Sequence, residues 1–318
     1  MNHQEPDVTV VIPTHNPDLG RLRRTLAGLR AQTMPADKWE TVLVDNASSA
    51  AVDASLFSES APSNLRIVHE PVLGLASARR RGVSEARAHI TIFVDDDNLL
   101  APDYLSLALI LSAQHPHVGA FGGRSMPEFE REPAPWQREF FDLLAVRDMG
   151  DLPVVSRGLR PPGALQNQYP VGAAPIGAGM VIRTDAAMQW LNDLPGKQGI
   201  SDRRGGELSS GGDNDIVLTV MKYGWEVAYF PDLRLVHIIP AGRLEPTYLG
   251  RLNRGIQKSW MEVLTKHEAN PWPPISEWTV PMRQWKAWFT KRAWSGAAAR
   301  IRWQGACGHF EGRTQALN

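Results

Sequence analysis

Three consecutive aspartates, Asp95, Asp96 and Asp97, directly follow the apolar run at residues 90–94. Carboxylates this close together raise one another's pKa and repel, and a hard divalent cation with oxygen ligands removes the conflict. The pattern therefore predicts a cation site where a buried strand meets solvent. A polar turn, with Asp97 or Asn98 forming an Asx turn, is the alternative interpretation of the same residues.

Polar residues also end two other apolar runs. Thr14 and Asn16 follow the β-branched run at residues 8–13, and Asp45 closes the run at residues 40–45. Each could be an ordinary polar turn. Because ligands on open α/β sheets bind beyond the carboxyl ends of the strands, we expect these groups to gather with the aspartates at one edge.

Alternating strands and helices are needed to position these residues. The first helix is predicted by leucines at helical spacing: Leu19, Leu22, Leu26 and Leu29. Apolar, β-branched runs predict further strands at residues 65–69 and 90–94, and residues 74–88 read as a second helix. This alternation implies a parallel, doubly wound sheet covered on both faces.

The second half of the chain is less regular. Eight prolines within residues 125–175 predict an irregular excursion that carries a short helix at 136–145. Regular elements are expected around it: a helix from Pro102 to Ala113, strands at 118–121, 177–183, 225–230 and 234–237, and a helix at 213–223.

Composition excludes several classes of protein. The 318 residues carry 34 basic and 34 acidic side chains, so no net charge draws the chain to nucleic acid. Cys307 is the only cysteine, which excludes an intrachain disulfide and disfavours a thiolate zinc site. The polar N-terminus lacks the pattern of a signal peptide, and no apolar stretch is long enough for a transmembrane helix, so we expect a cytoplasmic protein.

The order of these motifs resembles the inverting glycosyltransferases of glycosyltransferase family 2. The match rests on residues 10–16 (VVIPTHN), 44–48 (VDNAS), 74–82 (GLASARRRG), 94–97 (VDDD), 177–183 (GAGMVIR), 212–215 (GDND) and His237. Each motif is weak alone, but the ordered set is specific. The resemblance implies an α/β GT-A fold with a mixed central sheet flanked by helices. It also implies a catalytic domain at 1–245, with a nucleotide-sugar half at 1–124 and an acceptor half at 125–245, followed by a helical extension at 246–318.

The resemblance implies a metal site. Asp95 and Asp97 would form the family's DxD motif, in which Asp97 ligates Mn²⁺ or Mg²⁺ and Asp95 lies near the ribose or the metal's water shell. His237 would be a further ligand, although a lone histidine is also common as a turn or core residue. Imidazole favours manganese.

The resemblance also implies a pocket for a nucleoside diphosphate sugar. Its expected members are Pro13, Thr14, Asn16, Asp45, Arg79, Asp95, Asp96 and Gly179. Asp45 would accept a hydrogen bond from the base, which favours uridine, and Asp96 would serve as the spacer of the DxD motif. Arg79 would face the pyrophosphate, but it begins a run of three arginines that could equally be a solvated helix face. Arg80 stands where relatives often carry asparagine, so the phosphate-facing arginine stays open.

Asp213 corresponds to the family's catalytic base, although Gly212 replaces the glutamate that usually precedes it. Inversion by single displacement needs a carboxylate on the acceptor side to take the hydroxyl proton. The alternative is that Asp213 merely caps the helix that follows. The glycine-rich segment 196–212 is predicted to be a lid over the donor.

The last part of the chain has a distinct composition. Seven of its eleven tryptophans lie after residue 245, and residues 281–303 hold six basic and no acidic side chains. Two interpretations stay open: an amphipathic segment that lies on an anionic membrane, on its inner face, or a helix whose tryptophans pack on the catalytic domain.

The predicted activity is metal-dependent transfer of a sugar from a nucleoside diphosphate sugar to a hydroxyl of a saccharide or a lipid-linked acceptor. A sugar nucleotidyltransferase is a weaker alternative, because residues 13–17 (PTHNP) stand where a glycine-rich phosphate loop is expected. A non-catalytic carbohydrate-binding or scaffolding descendant of the fold is the other alternative.

Overall fold

The computed structural model describes residues 5–193 and 211–314. The strands are β1 (Val8–Thr14), β2 (Trp39–Asn46), β3 (Leu65–Glu70), β4 (Ile90–Phe93), β5 (Asn98–Leu100), β6 (Val118–Phe129), β7 (Val154–Ser156), β8 (Val181–Arg183) and β9 (Glu226–Ile239). The α-helices are α1 (Leu19–Arg30), α2 (Leu75–Glu85), α3 (Tyr104–Gln114), α4 (Thr184–Asn192), α5 (Gly212–Lys222), α6 (Pro246–Lys266), α7 (Val280–Thr290) and α8 (Ala297–Gly312). A 3₁₀ helix spans Pro135–Leu144.

The central sheet is mixed. Among the described residues its order is β3-β2-β1-β4-β8-β6-β9-β5, and β7 also pairs with β9. The pairs among β1 to β4 are parallel, which confirms the predicted alternation for the first half. The mixed sheet that the resemblance implies is confirmed. The parallel order inferred from the alternation does not hold for the whole sheet, since β8 runs antiparallel to β4 and β6, and β5 and β7 run antiparallel to β9.

Alternating side chains bury both faces of the sheet. Val8, Val10 and Ile12 of β1 pack in one core with α1 and α3, while Val11 packs in the other core with α2, α4 and α5. This period of two is the signature of a strand buried on both sides. Gly82 lets α2 approach β1 closely, because a Cβ there would collide with Val11. The helices therefore hold β1 and β4 rigidly, and with them the loops at their carboxyl ends.

Several strands predicted in the second half have different bounds. Residues 177–180 were expected to begin a strand, but β8 starts only at Val181 because Gly179 has a positive φ of 74° that turns the chain. The two strands predicted at 225–230 and 234–237 are one strand, β9, which pairs with β6 across a register shift. The predicted helix within the 125–175 excursion is the 3₁₀ helix.

Helices α6 and α8 share a buried core with the end of β9, and α7 packs on α8. Leu249 and Leu252 of α6 and Ile301 of α8 lie in one buried cluster with Phe140 and Ile239. Met261 and Leu264 of α6 form a further cluster with Leu218 of α5. The boundary predicted at residue 245 falls at the residue that precedes α6. That residues 1–245 are the catalytic domain and residues 246–318 an extension of it stays a prediction.

Candidate active site

A cleft of about 390 Å³ opens at the carboxyl edge of β1 and β4. Eight of the predicted site residues line it: Pro13, Thr14, Arg79, Asp95, Asp96, Asp97, Asp213 and His237. They come from β1, α2, the turn after β4, α5 and β9, so elements more than a hundred residues apart in sequence converge here. Helix α6 adds Tyr248, Leu252 and Ile256 to the wall.

The acidic triplet lies in a tight turn between β4 and β5. The backbone N–H of Asp95 donates to Oδ1 of Asn98 at 3.2 Å, and the N–H of Asn98 donates to the carbonyl of Asp95 at 3.0 Å. These two bonds make a polar β-turn closed by Asn98, as the alternative interpretation expected of this segment, but neither is the bond of an Asx turn. Nδ2 of Asn98 also donates to Oδ1 of Asp97 at 3.1 Å. All three aspartates still line the cleft.

The triplet is electrostatically strained. Burial raises the pKa of the Asp95 carboxyl above its ordinary value; Arg79 opposes this, while the charges of Asp97 and Asp213 add to it. Burial and the charge of Asp97 raise the pKa of Asp96 to about 7, although the Thr14 hydroxyl donates a hydrogen bond to its carboxylate. Such a cluster is relieved by a cation bound beside it.

Asp97 is held by an arginine and a histidine. Nη2 of Arg243 lies 2.9 Å from its Oδ2, and Nε2 of His237 lies 3.3 Å from its Oδ1. Nη1 of Arg243 is also 3.1 Å from Nε2 of His237. Burial alone would lower the pKa of Arg243, but the charge of Asp97 raises it above its ordinary value. The guanidinium thus bridges the two residues predicted to bind metal.

The side chains of Asp97 and His237 suit a divalent ion that is also bound by oxygen atoms of a substrate. No three His, Cys, Asp or Glu side chains in the described ranges converge to hold an ion by themselves. Asp97 and His237 are adjacent, however, and Nδ1 of His237 is buried without a hydrogen-bond partner among the described residues. Magnesium-type sites commonly use one or two carboxylates plus substrate phosphates and water. The residues therefore fit a metal bound together with a diphosphate.

Asp213 faces the triplet across Arg79. Nη1 of Arg79 donates to Oδ1 of Asp213, and Nη2 lies 3.5 Å from Oδ1 of Asp95. Arg79 is only 2% exposed and stacks over the ring of Phe93 at 5.4 Å, so it is not part of a solvated helix face. Of the three arginines in the run, Arg79 is the one that lines the cleft, whereas Arg81 pairs with Glu85.

Asp213 is not the cap of its helix. It lies in the first turn of α5, after the residue Gly211 that precedes the helix, and the helix has no side-chain cap. Its Oδ2 instead accepts the backbone N–H of Gly177 at 2.9 Å. A Cβ at Gly177 would collide with both Arg79 and Asp213, so this glycine is required by the close approach of its backbone to the carboxylate.

Three predicted site residues do not line the cleft. Asn16 has a positive φ of 47°, and its Oδ1 accepts the N–H of Ser49 at 2.8 Å, which ties the loop after β1 to the loop after β2. Asp45 is buried and accepts the backbone N–H groups of Ser48 and Val52 at 3.3 and 3.2 Å. Gly179 lies beneath the site, where a Cβ would strike Leu235 and Tyr104.

The sequence interpretation missed Arg243 and the α6 wall. Arg243 lies 146 residues from Asp97 in a short 3₁₀ helix, and nothing in its surroundings forms a motif. The only available signal was its position six residues after His237. The predicted lid at 196–212 lies outside the described residues except for its last two positions.

Two curated relatives share sequence with part of the chain. Validoxylamine A glucosyltransferase of Streptomyces hygroscopicus subsp. limoneus is 32% identical over 154 residues, which are 46% of this chain and 34% of the relative. The putative glycosyltransferase EpsH of Bacillus subtilis (strain 168) is 28% identical over 102 residues, 32% of this chain and 29% of the relative. The chain thus spans about a third of the length of these relatives.

Solved structures share the fold over nearly the whole chain. Mannosyltransferase PcManGT from Pyrobaculum calidifontis, in complex with GDP-Man and Mn²⁺, superposes with a TM-score of 0.57 at 20% identity, covering 99% of this chain and 88% of that one. TarS of S. aureus superposes with a TM-score of 0.51 at 13% identity, covering 98% and 55%. The predicted α/β GT-A fold with C-terminal helices is confirmed.

The family model of glycosyl transferase family 2 matches residues 9–187, which is more than half of the chain. The matched part contains Thr14, Arg79 and the acidic triplet. Asp213, His237 and Arg243 lie beyond it, and the fold brings them to the same cleft. On its sequence and its fold, this chain belongs to glycosyl transferase family 2.

Proposed function

We propose that this chain transfers a sugar from a nucleoside diphosphate sugar to a hydroxyl of a saccharide or lipid-linked acceptor, with inversion at the anomeric carbon, in the synthesis of a polysaccharide or glycoconjugate. One observation carries the proposal. The acidic triplet and Asp213 face each other across Arg79 in a single cleft at the carboxyl edge of the sheet.

The donor diphosphate is assigned to the side of the cleft that holds Asp97, His237 and Arg243. Arg243 and Arg79 supply positive charge there, and guanidinium groups match phosphate oxygens in a bidentate way. Pro13 and Thr14 border the same space. We favour uridine as the nucleoside, on the prediction that Asp45 serves the base pocket. In this structure the Asp45 carboxylate orders the loop that would form that pocket.

Asp97 and His237 would hold Mn²⁺ or Mg²⁺ jointly with the diphosphate, and Asp95 would lie in or near the metal's water shell. When bound, the ion neutralises the charge that grows on the leaving diphosphate. The presence of Mn²⁺ and GDP-Man in the structure of PcManGT supports this assignment.

Asp213 is assigned as the general base. Its carboxylate takes the proton of the acceptor hydroxyl while that oxygen bonds to the anomeric carbon, and the bond from this carbon to the diphosphate oxygen breaks on the opposite side. The nucleoside diphosphate leaves with the bonding electron pair. In this structure the Arg79 ion pair and the Gly177 amide already orient Asp213. The ion pair with Arg79 must weaken before Asp213 can accept the proton. An incoming diphosphate would weaken it by competing with Asp213 for Arg79.

The acceptor is assigned to the wall formed by α6. Tyr248, Leu252 and Ile256 give this wall an apolar surface beside Asp213 and Asn214. Such a surface suits the apolar face of a sugar ring or the start of a lipid chain. Neither alternative function requires a carboxylate on the acceptor side, and a binding module would release no nucleoside diphosphate.

The test combines donor binding with turnover. Thermal unfolding is measured with UDP, GDP and their sugar conjugates, with and without Mn²⁺. The donor is identified by the rise it causes in the midpoint of thermal unfolding, since a ligand that binds the folded state stabilises it. With that donor, Asp213→Asn should lower the release of nucleoside diphosphate by about 10² to 10⁴-fold while its donor-induced shift is kept. The exposed Asp37→Asn is the matched control. Retained turnover in Asp213→Asn would contradict the assignment of the base, and the absence of a shift with every nucleotide would contradict the function.

A further inference from the structure

Helix α7 carries several large apolar side chains on the outside. Met282, Trp285 and Phe289 follow one another at helical spacing and are 64%, 68% and 48% exposed. The inward face holds Val280 and Ala287, which are buried, and Trp288, which is half-buried. A helix whose apolar side chains only served the core would not also expose three large ones.

The exposed rings form a continuous surface. The ring centroids of Trp285 and Phe289 are 4.7 Å apart, and those of Phe289 and Trp294 are 5.7 Å apart. Trp278, two residues before α7, is 75% exposed and Trp294 is 53% exposed. We call Trp278, Met282, Trp285, Phe289 and Trp294 the aromatic ridge. Contiguous exposed apolar surface of this kind marks an interaction site.

The ridge is interleaved with positive charge. Arg283, Lys286, Lys291 and Arg292 are all exposed beside it. From residue 278 to residue 310 the sequence contains no aspartate or glutamate. Glu277, which precedes Trp278, is also exposed, but the four basic residues outnumber it. The ridge therefore combines exposed tryptophan with a net positive charge, which is the chemistry that binds the interface of an anionic bilayer.

The ridge is fixed to the wall of the cleft. Trp288, on the inner side of α7, packs edge-on against Trp303 of α8 at 4.8 Å, and Nε1 of Trp303 donates to the carbonyl of Gln284 at 3.0 Å. Helix α8 packs along α6, where Gly308 lets its backbone approach that of Arg254 closely. Since α6 also lines the cleft, a surface that holds the ridge would set the orientation of the cleft.

We propose that the aromatic ridge docks this chain on the surface of a membrane rich in anionic lipid. No helix in the described ranges is both long enough and apolar enough to cross a bilayer. The net positive charge favours lipid over a second copy of the chain, because two ridges brought face to face would place mostly like charges together. The inference concerns where the chain binds and does not depend on the reaction it catalyses.

Flotation of the full chain tests the proposal. One set of vesicles contains equal parts of phosphatidylcholine and phosphatidylglycerol, and the other contains phosphatidylcholine alone. The chain should float with the anionic set and much less with the neutral set. Trp285→Ala combined with Trp294→Ala should reduce binding by at least about tenfold, because two exposed rings no longer enter the bilayer interface. Lys286→Glu combined with Arg292→Glu should reduce binding by at least as much, because each basic residue near an anionic surface contributes about a factor of five. Both pairs are exposed, so the variants should fold normally.

The controls are Leu152→Ala and Arg160→Glu, which remove an exposed apolar side chain and an exposed charge outside the ridge. Both should float like the parent chain. Failure of the parent chain to float with anionic vesicles would overturn the proposal. So would equal flotation of the ridge variants, or a fall in molar mass from dimer to monomer in the tryptophan variant, which would make the ridge a contact between copies of the chain.

Discussion

Arg243 is the residue whose position most changes the picture of the site. Its guanidinium contacts both Asp97 and His237, the two residues assigned to metal binding. A metal bound at these residues must displace that contact. Arg243 therefore acts as a built-in counter-charge while the donor is absent, and it is placed to meet the diphosphate when the donor arrives.

Replacing Arg243 should separate these two roles. Arg243→Gln leaves the buried Asp97 without its cation, which should lower the free energy of unfolding by about 3–5 kcal/mol. Mn²⁺ alone should then raise the midpoint of thermal unfolding more in the variant than in the parent chain, because Asp97 no longer has to release an arginine. Nucleoside diphosphate with Mn²⁺ should bind the variant more weakly.

Arg243→Lys keeps the charge and Arg160→Gln removes an exposed arginine elsewhere, so both serve as controls for this measurement. Thermal shift with Mn²⁺ alone and with Mn²⁺ plus nucleotide gives both readouts. An equal or smaller response of Arg243→Gln to Mn²⁺ alone would show that Arg243 does not compete for the metal's position.

At the scale of elements, α5 is joined to α6 by a buried ionic cluster. Asp215, two residues after Asp213, is 2% exposed, and its Oδ1 lies 2.6 Å from Nζ of Lys266 and 2.8 Å from Nε2 of His267. Nε1 of Trp190 in α4 donates to its Oδ2 at 3.3 Å. The helix that carries the proposed base is therefore held in place by the end of α6.

Removing this carboxylate should weaken the link in a pH-dependent way. Burial opposes the charged form of Asp215, but the hydrogen bond from His267 and the charge of Lys266 hold its pKa below the ordinary value of 3.8. A lowered pKa in the folded state adds stability above the unfolded pKa and loses it as pH falls through the folded pKa. Asp215→Asn should thus cost about 3–5 kcal/mol at pH 7, and the difference from the parent chain should shrink below about pH 4.

Urea unfolding across this pH range measures the difference. Glu128→Gln is the matched control, because Glu128 and its partner Arg24, 2.6 Å away, are both nearly half exposed, and such a surface pair should contribute less than about 1 kcal/mol. A difference for Asp215→Asn that stays constant down to low pH would mean that the carboxylate is not held in its charged form by these partners.

The individual strands and loops show how much of the fold and of the site could be predicted from the sequence. Strands β1 to β4 are short β-branched runs with clear ends, so the edge that carries Thr14 and the acidic triplet followed from local pattern. Gly177 to Met180 have the composition of a strand, yet Gly179 has a positive φ that interrupts the extended backbone, although Gly179 and Met180 stay hydrogen-bonded to Phe93 of β4. Asp45 stands at a strand end like the triplet, but its own loop satisfies its carboxylate. Contacts such as Arg243 with Asp97 depend on the complete topology and leave no local signal.

At the scale of the whole molecule, shared cores should make the sheet and the C-terminal helices unfold together. Ile301 of α8 is 1% exposed in a cluster with Phe140, Ile239 and Leu252. Ile301→Ala should lower the free energy of unfolding by about 2–4 kcal/mol, because it leaves a cavity between the tail and the sheet.

Far-UV circular dichroism reports the whole chain, whereas tryptophan fluorescence is weighted toward the tail, which holds seven of the eleven tryptophans. Both probes should give one transition, and Ile301→Ala should shift both midpoints equally, while Ile110→Ala, at a half-exposed position, should shift neither by much. Separate transitions in the variant, with fluorescence changing first, would mean that the tail is an independent unit and that α6 does not fix the position of α5.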